Sequence, residues 1–407
     1  MALLVQKYGG SSVANAERVK NVVSRVAKAK QQGNQIVVVV SAMGDTTDEL
    51  IHLAHQVADH PDERELDVLL STGEIVSSTL VAIAIKSLGY KAVSLSGAQA
   101  GIYTDANYSR ARIHTIEPQR IFKELEKDNI VIVAGFQGIT EEMDTTTLGR
   151  GGSDTTAVAL AARLGANICE IYTDVEGVYT ADPRIVPQAG KLNQINSQEM
   201  LELASYGAKV IHPRAVELAE LYNIPILVAS SFTQGSGTII QGGIPMEARN
   251  KVRGIAHDLN VAKVTVVGVP DRPGIATTLF ESLAQAGISV DTIVQNASIN
   301  GITDLTFTVT RNDLGKAVQL IEPIAKSIGA RYCATDAKLG KVSIIGTGMQ
   351  NTPGYAARMF RALYDAGINI ELITTSEIRI TCLIGEGRVE DAVRTLHKAF
   401  ELERMEG

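Results

Sequence analysis

The run Ile36-Val37-Val38-Val39-Val40, followed without a break by Ser41-Ala42-Met43-Gly44, decides the fold class. A run of β-branched residues with no polar alternation is the mark of a strand covered on both faces. The polar, glycine-bearing segment behind it is where such a strand would emerge. Working outward, Leu3-Val5, Ala92-Leu95, Ile130-Ala134, Ile168-Thr173 and Ile226-Ala229 read the same way. Amphipathic stretches separate them. The clearest runs from Asn15, a helix N-cap, to Gly33, a C-cap, with Val19, Val22, Val23 and Val26 on one face. The expectation is an α/β unit, a mostly parallel sheet covered by helices.

In such sheets ligands bind beyond the carboxyl ends of the strands. The segments at those ends are Lys7-Tyr8-Gly9-Gly10-Ser11, Ser41-Ala42-Met43-Gly44, Gly135-Phe136-Gln137-Gly138 and Thr173-Asp174, all polar or glycine-rich. Composition fits a small-molecule partner. The 407 residues are 45% apolar with a net charge of -7 and no basic run, so the footprint of a nucleic-acid or membrane-surface binder is missing. Cys169, Cys333 and Cys382 match no metal spacing and read as small hydrophobes in a reducing compartment. With no basic leader before Leu3 and no apolar run of about 18 residues, a cytoplasmic location is expected.

Composition shifts at Gln241-Gly242-Gly243-Ile244-Pro245, a linker, and an internal repeat follows. Lys263-Val264-Thr265-Val266-Val267-Gly268 matches Lys341-Val342-Ser343-Ile344-Ile345-Gly346. Pro273-Gly274 matches Pro353-Gly354, Phe280 matches Phe360, and Ala286-Gly287-Ile288 matches Ala366-Gly367-Ile368. Each copy reads as a ferredoxin-like βαββαβ unit. The expected division is 1–245, a linker 246–262, a first copy 263–338 and a second 339–407. The second copy runs out before its last strand, so Val252-Arg253-Gly254-Ile255-Ala256 is expected to supply it, nesting one copy inside the other.

Neither G-x-x-x-x-G-K-[ST] nor G-x-G-x-x-G is present, so the P-loop and dinucleotide readings fail on their own motifs. Two other places let backbone N–H groups approach phosphate oxygens. Gly9-Gly10 follows a strand, and Gly151-Gly152 precedes a helix beginning near Ser153-Asp154-Thr155. Lys7, Arg150, Arg184 and Lys209 supply positive charge. A bare carboxylate at Asp154 would repel phosphates, so it is expected to orient a cation, with Lys7 the natural partner for a transferring phosphoryl group.

Lys7-Tyr8-Gly9-Gly10-Ser11-Ser12, Ser41 to Thr47, Thr72-Gly73-Glu74, Gly149-Arg150-Gly151-Gly152-Ser153-Asp154, Thr173-Asp174, Tyr179 to Arg184, and Lys209 in Gly207-Ala208-Lys209-Val210 together resemble the aspartokinases. The paired repeats resemble the ACT regulatory domains of that family. The resemblance implies an amino-acid kinase fold and transfer of the γ-phosphate of ATP, with Mg²⁺ held mainly by the phosphates, to the side-chain carboxylate of L-aspartate. It implies a catalytic set of Lys7, Arg150 and Asp154. Ser41, Thr47, Glu74, Arg150 and Ser153 would bind aspartate, with Arg150 on a carboxylate and Glu74 on the ammonium, as charge and geometry favour. Lys7, Gly9, Gly10, Ser11, Thr173, Asp174, Tyr179, Arg184 and Lys209 would hold the nucleotide. Tyr8 and Ser11 depart from the Phe and Thr common in the family.

For the repeats the resemblance implies an amino-acid effector, lysine or threonine or both. It would bind near Asp271, Gly274, Ile275, Ala276, Ser289, Val290, Asp291 and Gln295 of the first copy and Asn369, Ile370, Ser376 and Glu377 of the second. Gln350-Asn351-Thr352 departs from the family pattern. Pairing of small open sheets between chains predicts a dimer, and Met246 is positioned for an internal start yielding a regulatory subunit. The rival expectations are a kinase of the same scaffold acting on another acid, carbamate or nucleotide, and a non-catalytic amino-acid-binding regulator.

Overall fold

The computed structural model describes residues 2–243, 252–349 and 352–404. Met246 and the Gln350-Asn351 pair lie outside the described residues. The chain divides into two compact units, one holding residues up to Tyr179 and again from Gly190, the other holding Thr180–Ala189 with the C-terminal repeats.

The first unit contains strands β1 (Leu3–Tyr8), β2 (Gln35–Val40), β3 (Ala92–Leu95), β4 (Ile102–Thr104), β5 (Ile113–Ile116), β6 (Ile130–Ala134), β7 (Gln137–Ile139), β8 (Thr145–Thr147), β9 (Ile168–Thr173), β10 (Gln194–Asn196), β11 (Ile226–Ser230) and β12 (Thr238–Gln241). Its helices are α1 (Ala16–Gln31), α2 (Thr46–Val57), α3 (Glu63–Ser87), α4 (Gln119–Glu126), α5 (Gly152–Leu164), α6 (Ser197–Ser205) and α7 (Pro213–Leu221). The main sheet runs β10-β12-β11-β9-β1-β2-β6-β3. All its pairings are parallel except β11 with β12. The six strands expected from sequence form a contiguous block from β11 to the edge strand β3, within which Val37 to Val40 and Ile130 to Ala134 are fully buried. α1 begins as the sequence implies, with the Asn15 side chain accepting from the Arg18 N–H.

A second sheet, β5-β4-β7-β8, has no counterpart in the sequence reading. Three of its four strands are three residues long, too short for a period of two to register. Helix α3 is long and apolar enough to cross a bilayer, yet half of that apolar window is buried within the fold. It is a core helix.

The second unit adds β13 (Gly254–Pro270), α8 (Ile275–Gln285), β14 (Thr292–Gln295), β15 (Ile302–Val309), α9 (Leu314–Ser327), β16 (Tyr332–Ile345), α10 (Tyr355–Asp365), β17 (Leu372–Thr375), β18 (Arg379–Gly385) and α11 (Val389–Ala399). One sheet, β14-β15-β13-β16-β18-β17, spans both repeats. Gly254, Ile255 and Ala256 pair antiparallel with Ile345, Ile344 and Ser343 in the first strand of the second repeat. The sequence reading keeps Thr180–Ala189 with the first 245 residues, but packing assigns the segment to the second unit. Ala181 and Val186 enter its apolar core. The Ile255 N–H donates to the Thr180 carbonyl at 2.8 Å, and Thr180 Oγ1 lies 2.9 Å from His397 Nε2.

Ile132, fully buried in β6, measures how much the first unit depends on its sheet. Ile132→Ala should lower stability by about 2–5 kcal/mol, read as a shift in the urea midpoint monitored on the first unit. An unchanged midpoint would show that this strand does not carry the core.

Candidate active site

β1 lies between β2 and β9 at the middle of the sheet, and Lys7 is near its carboxyl end, with only 9% of its surface exposed. Its Nζ lies 2.6 Å from Asp154 Oδ1. Asp154 stands in the first turn of α5, where the positive end of the helix favours a carboxylate. Its Oδ2 accepts from the backbone N–H of His212 at 3.3 Å. His212 itself caps α7, its Nδ1 accepting from the Arg214 N–H at 3.3 Å, and burial holds its pKa below the usual imidazole value. It is structural.

Glycines let these loops close. A Cβ on Gly10 would stand 2.9 Å from the Ala42 carbonyl oxygen, and the Gly44 N–H donates to the Gly10 carbonyl at 3.1 Å. Gly151 has φ +69°, and a Cβ there would fall 2.1 Å from His212 Cγ. The turn leading from Arg150 into α5 therefore requires glycine.

Glu74 projects from α3 and is 2% exposed. Its Oε1 accepts from the Ala42 N–H at 3.0 Å, while Oε2 is buried with no hydrogen-bond partner. Burial raises its pKa to about 7, against the pull of the Ala42 N–H.

These groups share a cavity of about 520 Å³. Lys7, Gly10, Ser41, Thr47, Glu74, Arg150, Ser153 and Asp154 all line it. Its remaining wall includes Phe136, from the segment expected behind β6, and Leu70, Ser109 and Thr147, which the sequence did not single out. Phe136 is held at φ +68°, costly for a bulky side chain. The helical spacing of Leu66, Leu70 and Glu74 along α3 was the available signal for part of this wall.

The residues expected for the nucleotide are less gathered. Gly9 follows β1, its N–H donating to the Tyr172 carbonyl at 3.3 Å. The Ser11 carbonyl accepts from the Arg18 guanidinium. Thr173 and Asp174 stand at the end of β9, beside β1, and are bonded to each other at 3.1 Å. Tyr179 donates to Glu176 at 3.4 Å, and Lys209 is exposed. Arg184 belongs to the second unit, where it pairs with Asp182 at 2.7 Å. None of these seven lines the cavity.

The model of the amino acid kinase family matches residues 2–230, and that of the ACT domain matches residues 264–323 and 342–400. The chain is 52% identical to an aspartokinase of Mycolicibacterium smegmatis, over 99% of this chain and 97% of that protein. It is 48% identical to an aspartate kinase of Stutzerimonas stutzeri, over 100% and 99% respectively. This chain belongs to the aspartokinases. It is a kinase whose acceptor is a carboxyl group, and it carries ACT regulatory domains. Among solved structures it resembles E. coli aspartokinase III in complex with lysine and aspartate, with a TM-score of 0.75 and 25% identity over 98% of this chain and 99% of that one.

Tyr8 finds a partner for its hydroxyl. It is fully buried, stacks on Tyr172 with ring centroids 5.0 Å apart and donates to Gln6 Oε1 at 3.3 Å. In the second unit a cavity of about 370 Å³ is lined by Asp271, Gly274, Ile275, Ala276 and Gln295 from the expected effector set. Ser289, Val290, Asp291, Asn369, Ile370, Ser376 and Glu377 lie outside it. Asp291 is ion-paired with buried Lys341.

Because the Glu74 pKa is raised in the folded protein, the stability linked to this group is full below its unfolded value near 4.5. That stability is lost as pH rises through about 7. Glu74→Gln removes the penalty, so its urea midpoint relative to the parent should rise between pH 5 and pH 8. An offset independent of pH would contradict the assignment.

Proposed function

We propose that the cavity binds L-aspartate and that the γ-phosphate of ATP passes to its side-chain carboxylate, giving 4-phospho-L-aspartate, the entry to lysine, threonine and methionine biosynthesis. The observation that carries this reading is the buried, unpartnered Oε2 of Glu74 in a cavity shared with Arg150. A buried carboxylate oxygen without a donor is costly. A substrate ammonium would satisfy it, while the Arg150 guanidinium takes a carboxylate of the same molecule. Ser41, Thr47 and Ser153 add hydroxyls. The aspartate in the complex of the E. coli relative supports the same class of acceptor.

The chemistry needs little more. An aspartate side chain has a pKa near 3.9, so the nucleophile is ionised at neutral pH without a general base. Lys7, oriented by Asp154, neutralises charge on the transferring phosphoryl group. Backbone N–H groups at the start of α5 and around Gly9-Gly10 receive phosphate oxygens. The family implies Mg²⁺. Asp154 is committed to Lys7 and the His212 N–H, so the residues suit an ion held mainly by phosphates and water, where it would neutralise further charge. Thr173, Asp174, Tyr179, Arg184 and Lys209 are assigned to the nucleotide by family resemblance.

The cavity of the first repeat takes an amino-acid effector, and the E. coli relative's complex with lysine supports that class. An effector binding the inactive arrangement about tenfold better shifts the balance by roughly 1.4 kcal/mol. We assign the exposed edges β14 and β17 to pairing between two chains, and the compartment to the cytoplasm.

Trapping with hydroxylamine should yield an acyl hydroxamate with ATP and L-aspartate, little with L-glutamate, and less when lysine, threonine or both are added. ATP hydrolysis without hydroxamate would overturn the reading, and equal yields from both acids would move it to another carboxylate.

A further inference from the structure

Asp67 is fully buried, and the reaction makes no use of it. It lies on α3 two turns before Glu74, on the same face as Leu70. Every strong contact of its carboxylate is to one of two segments. Oδ1 accepts from the Ser109 N–H at 3.0 Å and from Thr147 Oγ1 at 2.7 Å. Oδ2 accepts from the Ser109 N–H at 2.9 Å and from the Thr147 N–H at 2.7 Å. Burial raises its pKa and these donors oppose the rise.

The two segments form the arm that carries Arg150. Ser109 is held at φ +64°, outside the range a serine prefers. A Cβ on Gly149 would stand 2.9 Å from the Ser109 carbonyl, so the strained turn packs directly against the residue before Arg150. The Ala111 N–H donates to the Thr147 carbonyl at 2.9 Å. From the other side the Arg214 guanidinium donates to the Leu148 carbonyl at 2.8 Å and the Ala111 carbonyl at 3.3 Å. Ser109, Thr147, Gly149 and Arg150 all border the cavity. Burying a carboxylate where apolar packing would fill the space carries a desolvation penalty before its hydrogen bonds are counted. The return here is a fixed relation between two parts of the site.

We propose that Asp67 is a positioning residue for the amino-acid acceptor: it staples the Ser109 turn and the end of β8 to α3, so that Arg150 is presented at a set distance from Glu74. The proposal rests on the reading that Glu74 and Arg150 grip one substrate. An acceptor held at both groups is matched only when the staple is closed. No side chain assigned to the nucleotide lies on this arm.

In the full chain, Asp67→Asn sets an amide against two backbone N–H donors. It should raise KM for aspartate about tenfold or more, the equivalent of losing one charge-assisted hydrogen bond, with KM for ATP unchanged within about twofold. Thr147→Val, which keeps the carboxylate and removes one donor, should raise KM for aspartate about threefold to tenfold, and Thr147→Ser should restore it. The double variant should be no worse than Asp67→Asn alone. Aspartate KM unchanged in both single variants, or KM for ATP rising equally, would overturn the proposal, and the Thr147 pair decides if Asp67→Asn does not fold. Arg150→Lys and Glu74→Gln separate the two levels. If they raise KM for aspartate while Asp67→Asn and Thr147→Val do not, the staple alone is wrong. If they leave it unchanged, the reading of the grip falls and the staple with it.

Discussion

The ion pair between Lys7 and Asp154, 2.6 Å apart and largely enclosed, is the constraint on which the site depends. Lys7 is on the central strand and Asp154 on the first turn of the helix that follows the Arg150 arm, so their contact ties the sheet to that arm. A buried cation needs a partner, and removing one member of such a pair typically costs about 3–5 kcal/mol. In the proposed mechanism the same pairing holds the ammonium near the carboxyl end of β1, where it would meet the transferring phosphoryl group. Gly10 and Gly151 permit the loops to come close enough, and His212 closes the far side of Asp154 through its backbone.

Around that pair the site is built from buried polar groups rather than from flexible surface ones. Glu74 keeps one oxygen on the Ala42 N–H and has no donor for the other. Asp67, on the same helix, spends both oxygens on the protein. In the proposed reading the two carboxylates divide the work along α3, one facing the acceptor and one fixing the wall beside it. Electrostatic preorganisation of this kind is the main resource of a phosphoryl-transfer enzyme whose nucleophile is already ionised.

Much of this was legible in the sequence because it is local. Unbroken β-branched runs such as Ile36 to Val40 announce buried parallel strands, and the glycine pairs announce close backbone approach. The repeat was legible because its two copies share Pro-Gly and Ala-Gly-Ile at matching places. The strands β4, β7 and β8 were not, being three residues each, with β8 tied through Thr147 to the Asp67 carboxylate far away in sequence. Asp67 escaped for the same reason: nothing near it in the chain shows that its donors are Ser109 and Thr147. The placement of Thr180–Ala189 in the second unit depends on Ala181 and Val186 finding a core formed by residues far downstream. Such contacts are tertiary, and no local pattern encodes them.

In the proposed mechanism Lys7 acts on the transferring phosphoryl group only as Asp154 holds it, a dependence that a double-mutant cycle on kcat measures. With Lys7→Ala, Asp154→Ala and the double variant measured at saturating ATP and aspartate, the double variant should be no slower than Lys7→Ala alone. Losses that multiply, each variant acting independently of the other, would contradict it.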